Sequence, residues 1–232
     1  MSSISKLFKS FIDALFPQRC IACNQLSEFD SYFCKDCAGK ITPVQHKICR
    51  KCGRDEKACE CNRFIYHFDG LVAPFLNSGQ AKESFYSYKF NSNLSAVDYF
   101  AENMALFFKE NFGDIKIDMI CYVPLSKKQL KERDFDKCEL LSQRVSKLLN
   151  IPMEKAILKN ENILTQHNLS IDTRFENVRN AYRIVKNVKG KKILLIDDIK
   201  TTGATLDSCA KELKFAGAKE VYCLTALSGE KY

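Results

Sequence analysis

Apolar positions fall into three regimes along the chain. Over the first 17 residues Ile4, Leu7, Phe8, Phe11, Ile12, Leu15 and Phe16 recur at helical spacing, and Pro17 ends the pattern. Residues 18–63 show no such period and are rich in cysteine. From residue 64 to 232 short apolar runs alternate with helical stripes. Val97, Phe100, Met104, Phe107 and Phe108 predict a helix over 95–109, and Ile117 to Leu125 predicts a strand running into Pro124. A helix is expected over 136–149, a strand from Ile193 to Ile199, and a helix over 204–216 capped by Gly217. Val221 to Leu227 then reads as a last strand. Alternating strands and helices predict an α/β fold: a mostly parallel sheet, helices on both faces, and a ligand at the strand C-terminal ends. This part has no visible internal repeat or low-complexity linker. Three segments are therefore expected: an amphipathic helix (1–17), a cysteine module (18–63) and the α/β domain (64–232).

Composition changes this picture little. Hydrophobic content of 46% and charged content of 28% over 232 residues are ordinary for a globular chain. No run of 18 uncharged apolar residues exists, which argues against a membrane span. The N-terminus has no secretory apolar region with a small-residue cleavage site, so the cytoplasm is the expected compartment. The first helix can pack on the protein itself, or lie on a membrane surface or partner beside Lys6 and Lys9. The formal charge of +8 is shared evenly: residues 1–66 hold 11 Lys and Arg against 7 Asp and Glu.

Eight of the twelve cysteines fall in four close pairs: Cys20 and Cys23, Cys34 and Cys37, Cys49 and Cys52, Cys59 and Cys61. Paired thiolates on short turns suit tetrahedral metal sites, so two structural Zn²⁺ ions are expected. With four sulfurs per ion no coordination position stays open for catalysis. A disulfide framework suits secreted chains, and an iron–sulfur cluster would want a more clustered run. Neighbouring pairs sharing an ion is the simpler arrangement, although a crossed one has the same spacing. Zinc binding by thiolates would cancel the positive charge of the front part. Cys121, Cys138, Cys209 and Cys223 sit among apolar residues and read as core.

The densest chemistry lies at Ile193–Thr205. Asp197 and Asp198 arrive where the apolar run Ile193 to Ile196 should end. Lys200, Thr201, Thr202, Gly203, Ala204 and Thr205 then lead into a helix. Backbone N–H groups and the helix dipole can hold a phosphate there, while the carboxylates accept from sugar hydroxyls. A plain capped loop needs only one acid or one threonine. This run resembles the 5-phosphoribosyl-1-pyrophosphate (PRPP) signature of type I phosphoribosyltransferases. The resemblance implies that the acids hold the ribose 2′- and 3′-hydroxyls and that the turn wraps the 5′-phosphate, with Mg²⁺ accompanying PRPP. Val123, Pro124, Leu125 and Ser126 end an earlier strand where a second ligand loop is expected. Lys127, Lys128, Lys131, Arg133 and Lys137 follow, as a pyrophosphate clamp or as a solvated helix face.

A closer resemblance covers nearly the whole chain. Val123-Pro124, Lys131 to Lys137 and Glu139-Leu140-Leu141 are similar to the ComF-family run after its pyrophosphate-loop strand. Thr165-Gln166-His167-Asn168-Leu169, Arg174, Asn177-Val178 and Ala181-Tyr182 resemble that family's next segment. A helix ending in proline before cysteine knuckles is also typical of it. The resemblance adds Gln166, Arg174 and Asn177 as loop residues of the site. Asp134, Asp136 and Lys137 depart from it, standing where Gly, Asn and Gln are common. Two extra carboxylates would repel pyrophosphate or help hold Mg²⁺. His167 is either a general base or an ordinary loop residue. Arg174, Arg179, Arg183, Lys186, Lys189, Lys191 and Lys192, with Phe175 and Tyr182, form either a nucleic-acid track or a plain basic surface.

Membership would imply a role in natural competence, the uptake of single-stranded DNA into the cytoplasm with its machinery as partner. The residues themselves imply binding of PRPP or ribose 5-phosphate. The alternative is an active phosphoribosyltransferase acting on an acceptor the sequence does not identify.

Overall fold

Strands β6 (Lys192–Lys200) and β7 (Glu220–Ser228) run side by side through the middle of a parallel sheet. The computed structural model describes residues 18–28, 31–45, 47–59, 61–63, 65–91, 94–131, 136–160 and 181–229. The helix expected over 1–17 lies outside them, as do Arg133, Asp134, Gln166, His167, Arg174, Asn177 and Arg179. Strand β3 (Met119–Tyr122) pairs with β6, and β1 (Gly70–Val72) with β7, giving the order β1-β7-β6-β3. β2 (Phe75–Leu76) continues along the same edge of β7 beyond Pro74. Every pairing in this sheet is parallel, as alternating strands and helices require.

The apolar run of β6 divides between two faces. Leu194 and Ile196 join a core with Val72, Phe75, Ile120 and Leu224, covered by helices α1 (Gly79–Asn91), α2 (Leu94–Phe112) and α4 (Lys137–Leu149). Ile193 and Leu195 join Leu71, Met119, Cys121 and Cys223 under α5 (Ala204–Phe215). A short helix α3 (Lys127–Lys131) follows β3. α5 ends in a Schellman turn: Gly217 is left-handed (φ 92°), and the Ala218 N–H donates to the Leu213 carbonyl at 3.0 Å. Outside the sheet, β4 (Ile157–Lys159) and β5 (Tyr182–Ile184) pair antiparallel.

The cysteine module repeats one device twice. Arg19 bridges Leu26 as Ile48 bridges Asp55, and the Cys20 N–H donates to the Gln25 carbonyl as Cys49 does to that of Arg54, both at 2.8 Å. Each knuckle closes on a left-handed residue after its second cysteine, Asn24 (φ 63°) and Gly53 (φ 74°). The sequence reading did not see this repeat.

The module is fastened along the β1 edge and the adjoining helix. The Leu71 N–H donates to the Arg50 carbonyl (3.0 Å) and the Val44 N–H to that of Pro74 (2.7 Å). Arg50 pairs with Asp114 at 2.8 Å, and Tyr32 donates to Glu102 at 2.8 Å. Ile21 and Ile41 enter the main core, and Phe33 packs edge-on to Tyr99 with centroids 4.9 Å apart. A sheet edge that would otherwise expose unpaired amides is thereby covered.

Candidate functional site

The sheet register brings two predicted segments together. Tyr122 lies opposite Ile196, so residues 123–126 leave β3 beside the point where β6 reaches Asp197 and Asp198. The Val123 N–H donates to the Ile196 carbonyl at 2.9 Å. Val123 and Pro124 are buried, which makes them floor, while Leu125 and Ser126 are partly exposed. Ser126 is occupied locally. Its Oγ accepts from the Gln129 N–H (3.2 Å) and its N–H donates to Gln129 Oε1 (3.0 Å), a reciprocal cap on α3.

Asp197 is buried, with 8% of its surface exposed, and Asp198 is partly open. Oδ1 of Asp197 accepts from the Asp198 N–H at 2.8 Å and from the Cys138 thiol at 3.3 Å. Burial, and then the adjacent Asp198 charge, push the Asp197 carboxyl up to about 7. Burial and the charge of Asp197 also drive the Cys138 thiol well above its ordinary range, so the thiol is the donor. Cys138 was expected to be plain core filler. It is placed by the first turn of α4, where Asp136 Oδ1 accepts from the N–H groups of Cys138 (3.0 Å) and Glu139 (3.2 Å). This corrects the expectation for Asp136. It is a buried helix cap, 7% exposed, and not a carboxylate facing pyrophosphate. Lys137 is equally buried, so it does not project into solvent as a clamp. Asp136 and Glu139 have the spacing of a capping box, and that signal was readable in the sequence.

The small-residue turn follows at once. Thr201 and Thr202 are exposed, and the Ala204 N–H donates to Thr202 Oγ1 at 3.3 Å. Gly203 is the N-cap of α5 in a left-handed conformation (φ 83°) and brings no side chain to the helix amides. The first turn of α5, with Ala204 and Thr205 exposed, is thus open to an anionic ligand. Lys200, grouped by sequence with this turn, is 5% exposed, and its Nζ donates to the Cys52 carbonyl of the cysteine module at 3.3 Å. Its ammonium therefore stands behind the turn. Another contact absent from the sequence reading is His67, whose N–H and Nδ1 meet the carboxylate of Asp207, in the first turn of α5, at 2.6 and 2.8 Å.

The eight front cysteines gather as neighbouring pairs. Sγ atoms of Cys20, Cys23, Cys34 and Cys37 lie within 4.8 Å of one another, as do those of Cys49, Cys52, Cys59 and Cys61. Measured Sγ separations are 3.6 Å (Cys23 to Cys34), 3.8 Å (Cys49 to Cys61) and 3.9 Å (Cys52 to Cys59). Four sulfurs about 2.3 Å from one Zn²⁺ at tetrahedral angles stand about 3.8 Å apart, so both groups fit the ion. Burial pushes the Cys20 thiol up, but backbone N–H groups of Cys34, Cys23 and Ala22 outweigh it and bring it down to about 7. Cys138, Asp197 and Asp198 also lie within 4.8 Å of one another. A protonated soft thiol among two carboxylates suits Mg²⁺ poorly.

The basic strip is partly neutralised. Lys192 pairs with Glu220 at 3.1 Å and Lys186 with Glu154 at 3.6 Å, while Arg183 and Lys189 are exposed. Among the described residues, no helix is long and apolar enough to cross a membrane.

Fold and site together define a phosphoribosyltransferase-type domain fronted by a pair of zinc ribbons. Residues 11–64 match the double zinc ribbon domain and residues 136–232 the phosphoribosyl transferase domain. Along most of its length the chain is similar to competence and DNA utilization proteins. It is 26% identical over 208 residues to the DNA utilization protein YhgH of Escherichia coli K12, covering 88% of each chain. It is 27% identical over 204 residues to the competence protein ComFC of Bacillus subtilis (83% of this chain, 76% of that one). It is 26% identical over 209 residues to competence protein F of Haemophilus influenzae (87% and 86%). Among solved structures, an adenine phosphoribosyltransferase superposes with a TM-score of 0.42 at 16% identity, covering 61% of this chain and 75% of that one.

Proposed function

We propose that the chain binds PRPP or ribose 5-phosphate, with Mg²⁺ accompanying the phosphorylated ligand, and serves the handling of incoming single-stranded DNA. The observation that carries the binding reading is the junction of β6 and α5. Two carboxylates stand near the end of the strand, and five residues after Asp198 a left-handed glycine without a side-chain cap opens the helix N-terminus. Asp197 and Asp198 accept from the ribose hydroxyls, and the amides of Thr201 to Thr205 with the threonine hydroxyls hold the 5′-phosphate. Residues 123–126 with Arg133 form the pyrophosphate side, and Gln166, Arg174 and Asn177 serve as loop residues of the site. The names of the relatives, competence protein and DNA utilization protein, support the biological part of the reading.

Calorimetry with PRPP, ribose 5-phosphate and pyrophosphate, with and without Mg²⁺, tests the binding. The two sugar phosphates should bind, and Asp197→Ala with Asp198→Ala should abolish this while zinc content stays at two per chain. Undiminished binding by the double variant would refute the site. For the DNA role, labelled single strands should bind in a salt-dependent way.

A further inference from the structure

We infer that Lys200 is a positioning residue through which the second zinc knuckle holds the phosphate turn, so that sugar-phosphate affinity depends on zinc at Cys49, Cys52, Cys59 and Cys61. This rests on the binding reading above and extends it to a part of the chain remote from the ligand.

Lys200 is the last residue of β6 and directly precedes Thr201. Its backbone is pinned, opposite Ser228 in the sheet and with its carbonyl accepting from the Gly229 N–H. Its side chain runs beneath the turn: a Cβ on Gly203 would stand 3.7 Å from Lys200 Cε. The ammonium ends in the interior, 3.3 Å from the Cys52 carbonyl. A buried ammonium needs well-fixed acceptors, because its lost hydration is otherwise uncompensated.

That carbonyl belongs to a metal ligand. The Gly53 N–H closes the knuckle on the Cys49 carbonyl at 2.8 Å, and Gly53 lies so tightly on β1 that a Cβ there would fall 2.6 Å from Leu71 Cδ2. Zinc on the Cys52 thiolate fixes the direction of the carbonyl on the same residue. The ion, the Cys52 carbonyl, the Lys200 ammonium and the floor under Gly203 thus form one continuous chain of contacts. Loss of the ion frees this acceptor and so weakens the hold on the ammonium under the turn. The sequence could not show this link, since 148 positions separate its two residues.

Hydrogen–deuterium exchange of the 200–206 segment tests it in the full chain, for wild type, Lys200→Met, Lys200→Arg, and each of these combined with Cys59→Ser and Cys61→Ser. Lys200→Met should keep both zinc ions yet speed exchange of this segment, and lower ribose 5-phosphate affinity, by about tenfold, the scale of one charge-assisted hydrogen bond. Pyrophosphate affinity should hardly change, and Lys200→Arg should restore much of the loss. Removing the second zinc should loosen the segment in wild type but add little in the Lys200→Met background. Equal effects of zinc loss in both backgrounds would mean general loosening of the sheet and would overturn the inference, as would a Lys200→Met protein with a fully protected turn. Exchange reads the link without ligand. If wild type binds no sugar phosphate but exchange behaves as expected, the binding reading fails and the link stands. If wild type binds and neither affinity nor exchange responds, the link alone fails.

Discussion

The thiol of Cys138 donates to the carboxyl oxygen of Asp197 across 3.3 Å, joining the first turn of α4 to the end of β6. The bond serves a carboxyl that burial and the Asp198 charge have pushed up to about 7, against 3.8 for the unperturbed group. Its contribution to stability is therefore fully present below about pH 4 and is lost as pH rises toward 7. Asn at this position keeps the acceptor oxygen and removes the charge. Asp197→Asn should melt above wild type at pH 8, with the gap closing toward pH 4. Ribose 5-phosphate binding by wild type should strengthen as pH rises through 7, because the ionised carboxyl is the better acceptor. Thermal melts and titrations between pH 4 and 8 check both trends, and a variant that melts lower at pH 8 would count against the assignment.

Two glycines at the turn matter for different reasons. A Cβ on Gly229 would stand 3.0 Å from the Lys200 carbonyl oxygen and 3.2 Å from Thr201 Cα, both backbone atoms with little room to move. A Cβ on Gly203 would meet only an ordinary contact, so the cost there is the left-handed φ, about 1–2 kcal/mol. Gly203→Ala should lose about that much in urea unfolding. Gly229→Ala should displace the turn itself and lower ribose 5-phosphate affinity more than Gly203→Ala does.

Gly70 marks where module and sheet touch. A Cβ there would stand 2.7 Å from the Arg50 carbonyl oxygen and 2.7 Å from Phe112 Cζ, in two different elements. Forcing a methyl into such a contact costs about 1–3 kcal/mol. Gly70→Ala should lose that amount in denaturant unfolding, with two zinc ions still bound. Unchanged stability would show the module to be loosely seated.

How far the sequence could be read depended on where each element's partners lie. β6 and α5 carry their signals locally, in an apolar run, an acid pair and a glycine turn, so Lys192–Lys200 and Ala204–Phe215 fell within a residue or two of expectation. The helix over Gly79–Asn91 was missed because its aromatics Phe85, Tyr86, Tyr88 and Phe90 make no single stripe. β1, β4 and β5 are three residues each, too short for any period to show. Of the site, the acids and the turn were visible as a motif. Lys200 was read as part of that turn, but its inward contact and the role of Cys138 were not visible, because they come from partners 148 and 59 positions away.

Zinc removal should reach well beyond the module. A structural zinc site contributes about 10–16 kcal/mol to the folding of the segment that carries it, so a chelator that wins both ions should unfold the ribbons. Ile21 and Ile41 would then leave the main core, and the Leu71 N–H on the β1 edge would lose the Arg50 carbonyl. An uncovered parallel edge beside an apolar core invites pairing with another chain. The stripped protein should therefore melt in a single transition well below the zinc-loaded one and scatter light on warming, at a rate that rises with concentration. Calorimetry and static light scattering after chelation read both effects. A main transition at its original temperature would mean that the α/β domain stands without its zinc ribbons.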